Sequence, residues 1–213
     1  MKISSLIFDF DGVLAESVNI KSDAFYEIYL PYGKVIADKV LKHHLANGGM
    51  SRYEKFKLYH KKFLDILIDD KHLSDLVANF SQKVKRKVIA SNEVFGTSEF
   101  FRNNNFDSWL VSTTPEEELL EILQKRKMYN LFKKIYGSPR SKIDCVAEII
   151  HHNKLNKSEV IFIGDAKTDY LAAIENSILF ILRETQENFD FFKKISVPKI
   201  KDMSELESTI LKI

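Results

Sequence analysis

The sequence predicts an α/β fold, with a doubly wound, mainly parallel sheet that carries an inserted helical block. Short apolar runs recur along the chain, and each ends in a cluster of Asp, Gly, Ser or Thr, as buried strands do where they enter loops. Amphipathic helical patterns separate most of these runs. Buried strands that alternate with helices indicate a sheet with helices on both faces.

The first predicted strand is the apolar run of residues 6–8. Similar runs follow at 109–111, 132–136, 160–163 and 178–182. Helical patterns cover 115–127, 141–152 and 168–176. In the first of these helices Thr114 is the predicted N-cap, and Glu117 three residues later completes a capping box. The alternation predicts a Rossmann-like core.

Residues 16–90 differ from the rest of the chain because they contain no convincing buried strand. They predict successive helices at 17–29, 34–46, 51–68 and 71–90, with Ser51 and Glu54 forming a capping box. We therefore expect two domains. Residues 1–15 and 91–213 would form the α/β core, and residues 16–90 a helical domain inserted into it.

Composition excludes several classes of protein. The 213 residues include 32 Lys and Arg against 30 Asp and Glu, so a net charge of +2 gives no global reason to bind nucleic acid or an anionic membrane. A single cysteine, Cys145, excludes an internal disulfide and a Cys-rich zinc site, and its apolar helical surroundings predict burial. No apolar run has the length of a membrane span. We expect a cytoplasmic protein, as a monomer or a homodimer.

The first candidate functional motif is Asp9-Phe10-Asp11-Gly12, directly after the first strand. Residues i and i+2 of an extended segment project to the same side, so Asp9 and Asp11 can face one substrate. One carboxylate can attack an electrophile while the other transfers a proton. Gly12 permits a sharp turn and close approach of an anion to the backbone.

A second acidic motif follows the strand at 160–163, where Asp165 and Asp169 lie one helical turn apart. Carboxylates that meet at a sheet edge repel one another unless a cation lies between them. Oxygen ligands of this kind suit Mg²⁺, which also binds water and phosphate oxygens. The two acidic motifs together therefore predict a magnesium site.

Two further strand ends carry groups suited to binding phosphate. Ser112 and Thr113 offer hydroxyl and amide donors where a strand passes into a helix. Lys142 lies at another strand-to-helix junction, where an ammonium group can neutralise phosphate and keep a nearby carboxylate ionised. Arg140 is a weaker candidate for the same role.

The four motifs, in this order, resemble the haloacid dehalogenase superfamily in its phosphatase branch with a helical cap. The resemblance covers the whole chain, although residues 91–96 lack the proline that usually precedes a helix there. It implies that Asp9 is the nucleophile and Asp11 the general acid and base. It also implies that the Asp9 carboxylate, the Asp11 main-chain carbonyl and Asp165 bind Mg²⁺, with Asp169 binding the metal or orienting its shell.

By the same resemblance, Ser112 and the Thr113 amide would bind the phosphoryl group and Lys142 would balance its charge. The helical domain would be a cap whose glycine-containing loop, Asn47 to Ser51, selects the substrate. Arg52, which follows this loop, is the predicted substrate-gripping residue, and Lys55 is a second candidate. The six histidines are expected to be surface or partly buried helix residues.

Three functions remain open at this point. The first is a Mg²⁺-dependent phosphatase of a small phosphorylated metabolite, for which a sugar phosphate is one candidate. The second is a phosphosugar mutase of the same superfamily, which returns the phosphoryl group to bound substrate. The third is a non-catalytic regulatory or binding module on the same fold.

Overall fold

The computed structural model describes residues 2–213 and contains a six-stranded sheet whose neighbouring strands are all parallel. The strand order is β3-β2-β1-β4-β5-β6. The strands are β1 (Ser5–Phe8), β2 (Asp107–Pro115), β3 (Lys134–Ser138), β4 (Val160–Gly164), β5 (Leu179–Arg183) and β6 (Lys199–Ile200). This confirms the predicted doubly wound sheet. The direction of winding reverses at β1, which is where such folds bind ligands.

Among the described residues, five α-helices precede β2 and five follow it. The helices are α1 (Val18–Tyr29), α2 (Lys34–Ala46), α3 (Arg52–Tyr59), α4 (Asp70–Ala90), α5 (Thr97–Asn103), α6 (Glu116–Lys125), α7 (Lys142–His152), α8 (Lys167–Glu175), α9 (Phe189–Phe192) and α10 (Leu206–Ile210). We call α1–α4, residues 18–90, the helical block. Within residues 2–213, none of the helices combines the length and apolar character needed to cross a lipid bilayer.

Both faces of the sheet are buried, which explains why its strands are continuous apolar runs. Alternate residues of β1 enter different cores: Leu6 and Phe8 pack on one face, and Ile7 on the other. The first core includes apolar side chains of α6 and of the helical block, and the second includes those of α7 and α8. Cys145 is buried in the second core, as predicted.

The boundaries of three helices in the block lie within one residue of the prediction, but the third helix differs. It begins after Ser51, whose predicted capping box with Glu54 is present. It ends at Tyr59 instead of continuing to residue 68, and a π-helical turn, His60–Leu64, follows it. Asp65 then adopts a left-handed conformation with φ of 55°, which terminates the turn.

Other local predictions are wrong. Strand β2 continues to Pro115, so α6 begins at Glu116 and Thr114 is not its N-cap. The Thr114 hydroxyl instead binds Asp11. Strand β3 begins two residues later than predicted. Among the histidines, His44 and His60 are fully buried in the helical block rather than at its surface.

Candidate active site

Two parallel strands deliver the acidic motifs to one edge of the sheet. Asp9 follows β1 and Asp165 follows β4, and the two strands are paired so that Phe8 lies beside Ile163. Asp169, in the first turn of α8, turns back toward the same edge. Carboxylate oxygens of Asp9, Asp165 and Asp169 lie within 4.8 Å of one another. The two motifs, separated by more than 150 residues of chain, therefore form one cluster.

Lys142, the first residue of α7, holds this cluster together. Its Nζ lies 2.8 Å from Asp9 Oδ2 and 2.5 Å from Asp169 Oδ1. Burial alone would lower the pKa of Lys142, but the charges of Asp169 and Asp9 and their hydrogen bonds raise it above its ordinary value. The ammonium group is therefore charged and fixed between two carboxylates.

Both oxygens of Asp169 are already occupied by contacts within the protein. Oδ1 accepts from Lys142, and Oδ2 accepts from the backbone amides of Asp165 at 3.2 Å and Ala166 at 2.9 Å. A Cβ at Gly164 would lie 2.3 Å from the Asp169 Cβ, so only glycine permits this packing. Asp169 thus fixes both Lys142 and the loop that carries Asp165.

The Asp11 carboxylate is held apart from the three-carboxylate cluster. Its Oδ2 accepts from Lys21 Nζ at 2.5 Å and Thr114 Oγ1 at 2.9 Å, and its Oδ1 accepts from Ser17 Oγ at 2.6 Å. Burial by itself would raise the pKa of Asp11, but the Lys21 charge and these hydrogen bonds lower it below its usual range. Lys21 belongs to the helical block, so the block contacts the first acidic motif directly.

Asp9 and Asp165, one from each acidic motif, show the opposite electrostatic pattern to Asp11. Burial raises the pKa of Asp9 to about 7, and Asp169 and Asp11 add to the rise, although Lys142 opposes it. Burial and the charge of Asp9 likewise raise the pKa of Asp165 well above its ordinary value. Adjacent buried carboxylates of this kind are stabilised in their ionised form by a bound cation. Their oxygen-only donor set fits a hard divalent cation such as Mg²⁺.

Gly12 is required for this arrangement. Its φ is +78°, and a Cβ there would lie 2.2 Å from Asp165 Oδ2. Its amide donates to the Ala15 carbonyl at 2.9 Å, so the amide is not free to bind an anion in this conformation. Gly12 therefore allows the β1 and β4 loops to approach each other, a different use from the predicted contact with phosphate.

A cavity of about 460 Å³ separates the helical block from the strand ends, and it is lined by Asp9, Asp11 and Asp165 on the core side. A second cavity of about 400 Å³ is lined by Lys142. Thr113 lines both cavities, whereas Ser112 lines neither; Ser112 is buried and accepts from the Thr114 amide at 3.1 Å.

The loop of the helical block touches the core between these cavities. A Cβ on Gly49 would lie 1.7 Å from Thr168 Oγ1. Only a glycine can therefore occupy this point of contact without displacing Thr168. The predicted substrate-selecting loop does lie over the strand ends, and it separates the space there into two parts.

The structure does not bring Arg52 into either cavity. Its guanidinium forms a bidentate ion pair with Glu118 of α6, at 2.7 and 2.9 Å, and also donates to Ser81 Oγ at 2.6 Å. The side chain lies over the ring of Phe80 and is buried. This placement does not fit the predicted grip on a substrate. Arg140 is also directed elsewhere, since it pairs with Glu148.

Among the residues that line the larger cavity, Lys21 and His44 are two that were not predicted from the sequence as site residues. Both lie on helices of the block, α1 and α2. Neither belongs to a motif of fixed spacing, and a lone Lys or His on a helix is most often a surface residue. Their position opposite the carboxylates depends on how the block packs on the core, which no local pattern encodes.

Comparison with known proteins agrees with this geometry. A sequence model of the haloacid dehalogenase-like hydrolase family matches residues 6–182. The chain belongs to the haloacid dehalogenase-like hydrolase family. The match spans both acidic motifs, Lys142 and the helical block. No curated protein matches this hydrolase in sequence.

Solved structures of low sequence identity share the fold of this haloacid dehalogenase-like hydrolase. A β-phosphoglucomutase from Clostridium difficile has a TM-score of 0.77 at 15% identity, covering 99% of this chain and 98% of that chain. A predicted phosphoglycolate phosphatase from Haemophilus somnus has a TM-score of 0.76 at 13% identity, covering 98% of each chain. A magnesium-bound HAD-hydrolase from Bacillus subtilis has a TM-score of 0.69 at 14% identity, covering 100% of each chain.

Proposed function

We propose that this hydrolase is a Mg²⁺-dependent phosphatase of a small phosphorylated metabolite. The observation that carries the proposal is the convergence of Asp9, Asp165, Asp169 and Lys142 at the edge of the sheet where β1 ends. The similarity to proteins named as a phosphoglycolate phosphatase and a β-phosphoglucomutase supports a phosphoryl substrate. The helical block would act as the cap over the site.

Asp9 is the proposed nucleophile. One carboxylate oxygen attacks phosphorus, a new oxygen–phosphorus bond forms, and the bond from phosphorus to the ester oxygen breaks. Asp9 Oδ1 accepts from the Phe10 amide at 2.7 Å and Oδ2 contacts Lys142, so the carboxylate is oriented before substrate arrives. Water then hydrolyses the aspartyl-phosphate and releases inorganic phosphate.

Asp11 is the proposed general acid and base. It would protonate the departing ester oxygen in the first step and accept a proton from water in the second. In the conformation described here, Lys21, Ser17 and Thr114 keep Asp11 ionised. These contacts must loosen before Asp11 can donate a proton, which links the chemistry to movement of α1.

Asp9 and Asp165, together with the main-chain carbonyl of Asp11, are the proposed metal ligands. The magnesium-bound relative from Bacillus subtilis supports this choice of ion. When bound, Mg²⁺ would supply Lewis-acid stabilisation of the negative charge on the transferring oxygens. Asp169 would orient the site rather than bind the metal, because its two oxygens already hold Lys142 and the Asp165 loop.

Lys142 and the Thr113 backbone and hydroxyl are the proposed phosphate-binding groups, with Ser112 behind Thr113. Lys142 is charged, buried and in contact with the nucleophile, so it can stabilise charge that develops next to Asp9. Thr113 lines the cavity that contains Asp9 and the cavity that contains Lys142. A phosphoryl group bound there would lie between the two.

A phosphosugar mutase is the second candidate. The contact of Gly49 with Thr168 brings the loop of the helical block onto the core beside the carboxylate cluster, and a block that covers the site would protect an aspartyl-phosphate from water. The similarity to a β-phosphoglucomutase favours the same alternative. A mutase would isomerise its sugar phosphate without releasing stoichiometric inorganic phosphate.

The experiment is a phosphate-release screen over small phosphate esters, with Mg²⁺ and with a chelator. We expect release that requires Mg²⁺ and that Asp9→Asn abolishes while circular dichroism stays unchanged. Asp190→Asn is the matched control, because Asp190 lines the same cavity but is highly exposed and outside the carboxylate cluster. Activity that survives in Asp9→Asn would refute the assigned nucleophile, and isomerisation without phosphate release would favour the mutase.

A further inference from the structure

A buried lysine and a buried histidine face each other inside the helical block. Lys55 of α3 and His44 of α2 are 1% and 4% exposed. Lys55 Nζ lies 2.8 Å from His44 Nδ1. The His44 ring also packs against the Phe25 ring, with the ring centroids 4.8 Å apart, and this contact restricts the orientation of the imidazole.

Lys55 is expensive to bury in this position. Among residues 2–213 it forms no ion pair with a carboxylate, and its Nζ lies over the Phe25 ring, 5.6 Å from the centroid. Burial, together with the nearby charge of Lys21, lowers the pKa of Lys55 to about 7. An apolar side chain of similar length would fill the space without this desolvation cost. The amine therefore has a use that packing does not explain.

The contact of Lys55 with His44 affects which ring nitrogen of the imidazole carries the proton. Burial keeps its pKa well below the ordinary value, so the ring is neutral and carries one N–H. The ammonium form of Lys55 has N–H donors and no acceptor, so in that form its hydrogen bond with Nδ1 requires the ring proton to reside on Nε2. Nε2 has no hydrogen-bond partner among the described residues, and it is not sealed from solvent.

His44 of the helical block lines the cavity of about 460 Å³ that Asp9, Asp11 and Asp165 of the core also line. A substrate whose phosphoryl group is placed at Asp9 would extend its alcohol part into this cavity. The residues of the helical block that it could meet there include His44 and Lys21, and Lys21 is already bound to Asp11.

We infer that His44 determines substrate specificity, donating a hydrogen bond from Nε2 to an additional oxygen atom on the alcohol part of the phosphate ester. Lys55 is a positioning residue that selects the Nε2–H form of the ring. This inference rests on the proposed phosphatase function. It assigns the substrate to oxygen-bearing esters, such as those of polyols, sugars or hydroxy acids, in preference to unsubstituted aryl or alkyl phosphates.

The first test does not depend on activity. Long-range ¹⁵N–¹H NMR of the full-length protein, with labelled histidine, reports which ring nitrogen of His44 carries the proton. We expect the Nε2–H form in the wild type and a mixture of the two forms in Lys55→Met. A wild-type ring protonated at Nδ1 would overturn the inference while leaving the phosphatase function standing.

The second test compares phenyl phosphate with glycerol 3-phosphate, 2-phosphoglycolate and the glucose phosphates. For the best oxygen-bearing ester, His44→Leu should lower kcat/KM by about tenfold or more, the effect of losing one buried hydrogen bond. Phenyl phosphate, which has no additional oxygen, should be turned over within about threefold of wild type, and it also shows that the variant is folded.

Conservative replacement separates hydrogen bonding from packing. His44→Gln retains an N–H near the position of Nε2 and should stay within about threefold of wild type on the oxygen-bearing ester. Lys55→Met should raise KM for that ester and leave kcat for phenyl phosphate unchanged. Equal losses on both substrates in His44→Leu would overturn the inference, as would a wild-type preference for phenyl phosphate. A wild type that hydrolyses no ester with Mg²⁺ would refute the proposed function itself.

Discussion

Arg52 and Glu118 form a buried, bidentate ion pair that joins the helical block to helix α6 of the core. The Arg52 and Glu118 side chains are 4% and 9% exposed, and Ser81 of α4 donates to the same carboxylate. The pair ties together helices α3, α4 and α6. Arg52 therefore stabilises the position of the block over the strand ends, and it does so without lining the cavity below.

Removing one partner of this pair should destabilise the protein strongly. We expect Arg52→Met or Glu118→Gln to cost about 3–5 kcal/mol in the free energy of unfolding, because each leaves a buried charge or buried polar group without its partner. Urea denaturation measures this. The pair Lys85–Glu121 joins the same helices, α4 and α6, but is exposed, so Lys85→Met should leave the denaturation midpoint almost unchanged.

The Glu118 pair also predicts a dependence on pH. Burial alone would raise the pKa of Glu118, but the hydrogen bonds and charge of Arg52 lower it below 4.5. A depressed carboxyl pKa stabilises the folded state above the unfolded value and loses this contribution as pH falls through the folded value. The stability of the wild type should therefore fall more steeply below about pH 4.5 than that of Glu118→Gln. Parallel curves for the two proteins would contradict the assignment.

Gly12→Ala should damage the metal site as well as the turn. The left-handed φ of +78° strains any other residue, and the added Cβ would displace the Asp165 carboxylate. Gly33→Ala is the control, since Gly33 also has a positive φ, +103°, but nothing lies within 4 Å of its Cβ position. We expect both variants to lose stability, and Gly12→Ala alone to need more Mg²⁺ for half-maximal phosphate release.

Asp165→Asn should shift the Mg²⁺ titration of activity to concentrations about tenfold or more higher, since a ligand charge is lost while the shape of the side chain is kept. Glu187→Gln removes a charge from the same cavity at an exposed residue outside the carboxylate cluster, and should leave the titration in place. An unchanged titration in Asp165→Asn would exclude Asp165 as a metal ligand.

Lys55→Met should stabilise the protein near neutral pH. The folded pKa of Lys55, about 7, lies below the ordinary value of 10.5, so between these values the unfolded chain binds more protons than the folded chain. The free energy of unfolding of the wild type therefore increases as the pH rises from about 7 to 10.5. Lys55→Met lacks this pH dependence. Thermal denaturation at pH 7 and pH 9 measures the difference, and Lys57→Met, exposed on the same helix, is the control.

The strand ends that carry Asp9, Asp165 and Lys142 were predictable because each depends on a local pattern. An apolar run that stops at an acidic or small polar residue indicates the end of a strand, and this signal does not depend on which strand pairs with it. Parallel pairing then places all such ends at one edge of the sheet. This is why a single sequence sufficed to predict the residues that converge there.

Arg52 and His44 lie in surroundings that differ from the predicted ones, because their partners are not encoded by the local sequence. The spacing that marks Arg52 as unusual, in the first turn of α3, gives no information on Glu118, which lies 66 residues later. His44 has the sequence context of a surface histidine, and only the packing of α3 on α2 buries it beside Lys55. The π-helical turn after Tyr59 is a similar case, since the helical periodicity continues past the true end of α3.

The net charge of the site depends on its two ammonium groups, those of Lys21 and Lys142. When the four carboxylates of Asp9, Asp11, Asp165 and Asp169 are all ionised, they face these two cations with two uncompensated negative charges. One divalent ion cancels that excess and one monovalent ion does not. A phosphate dianion would then approach a site of no net charge, and it would be bound by local dipoles and contacts rather than repelled by the acids that transform it.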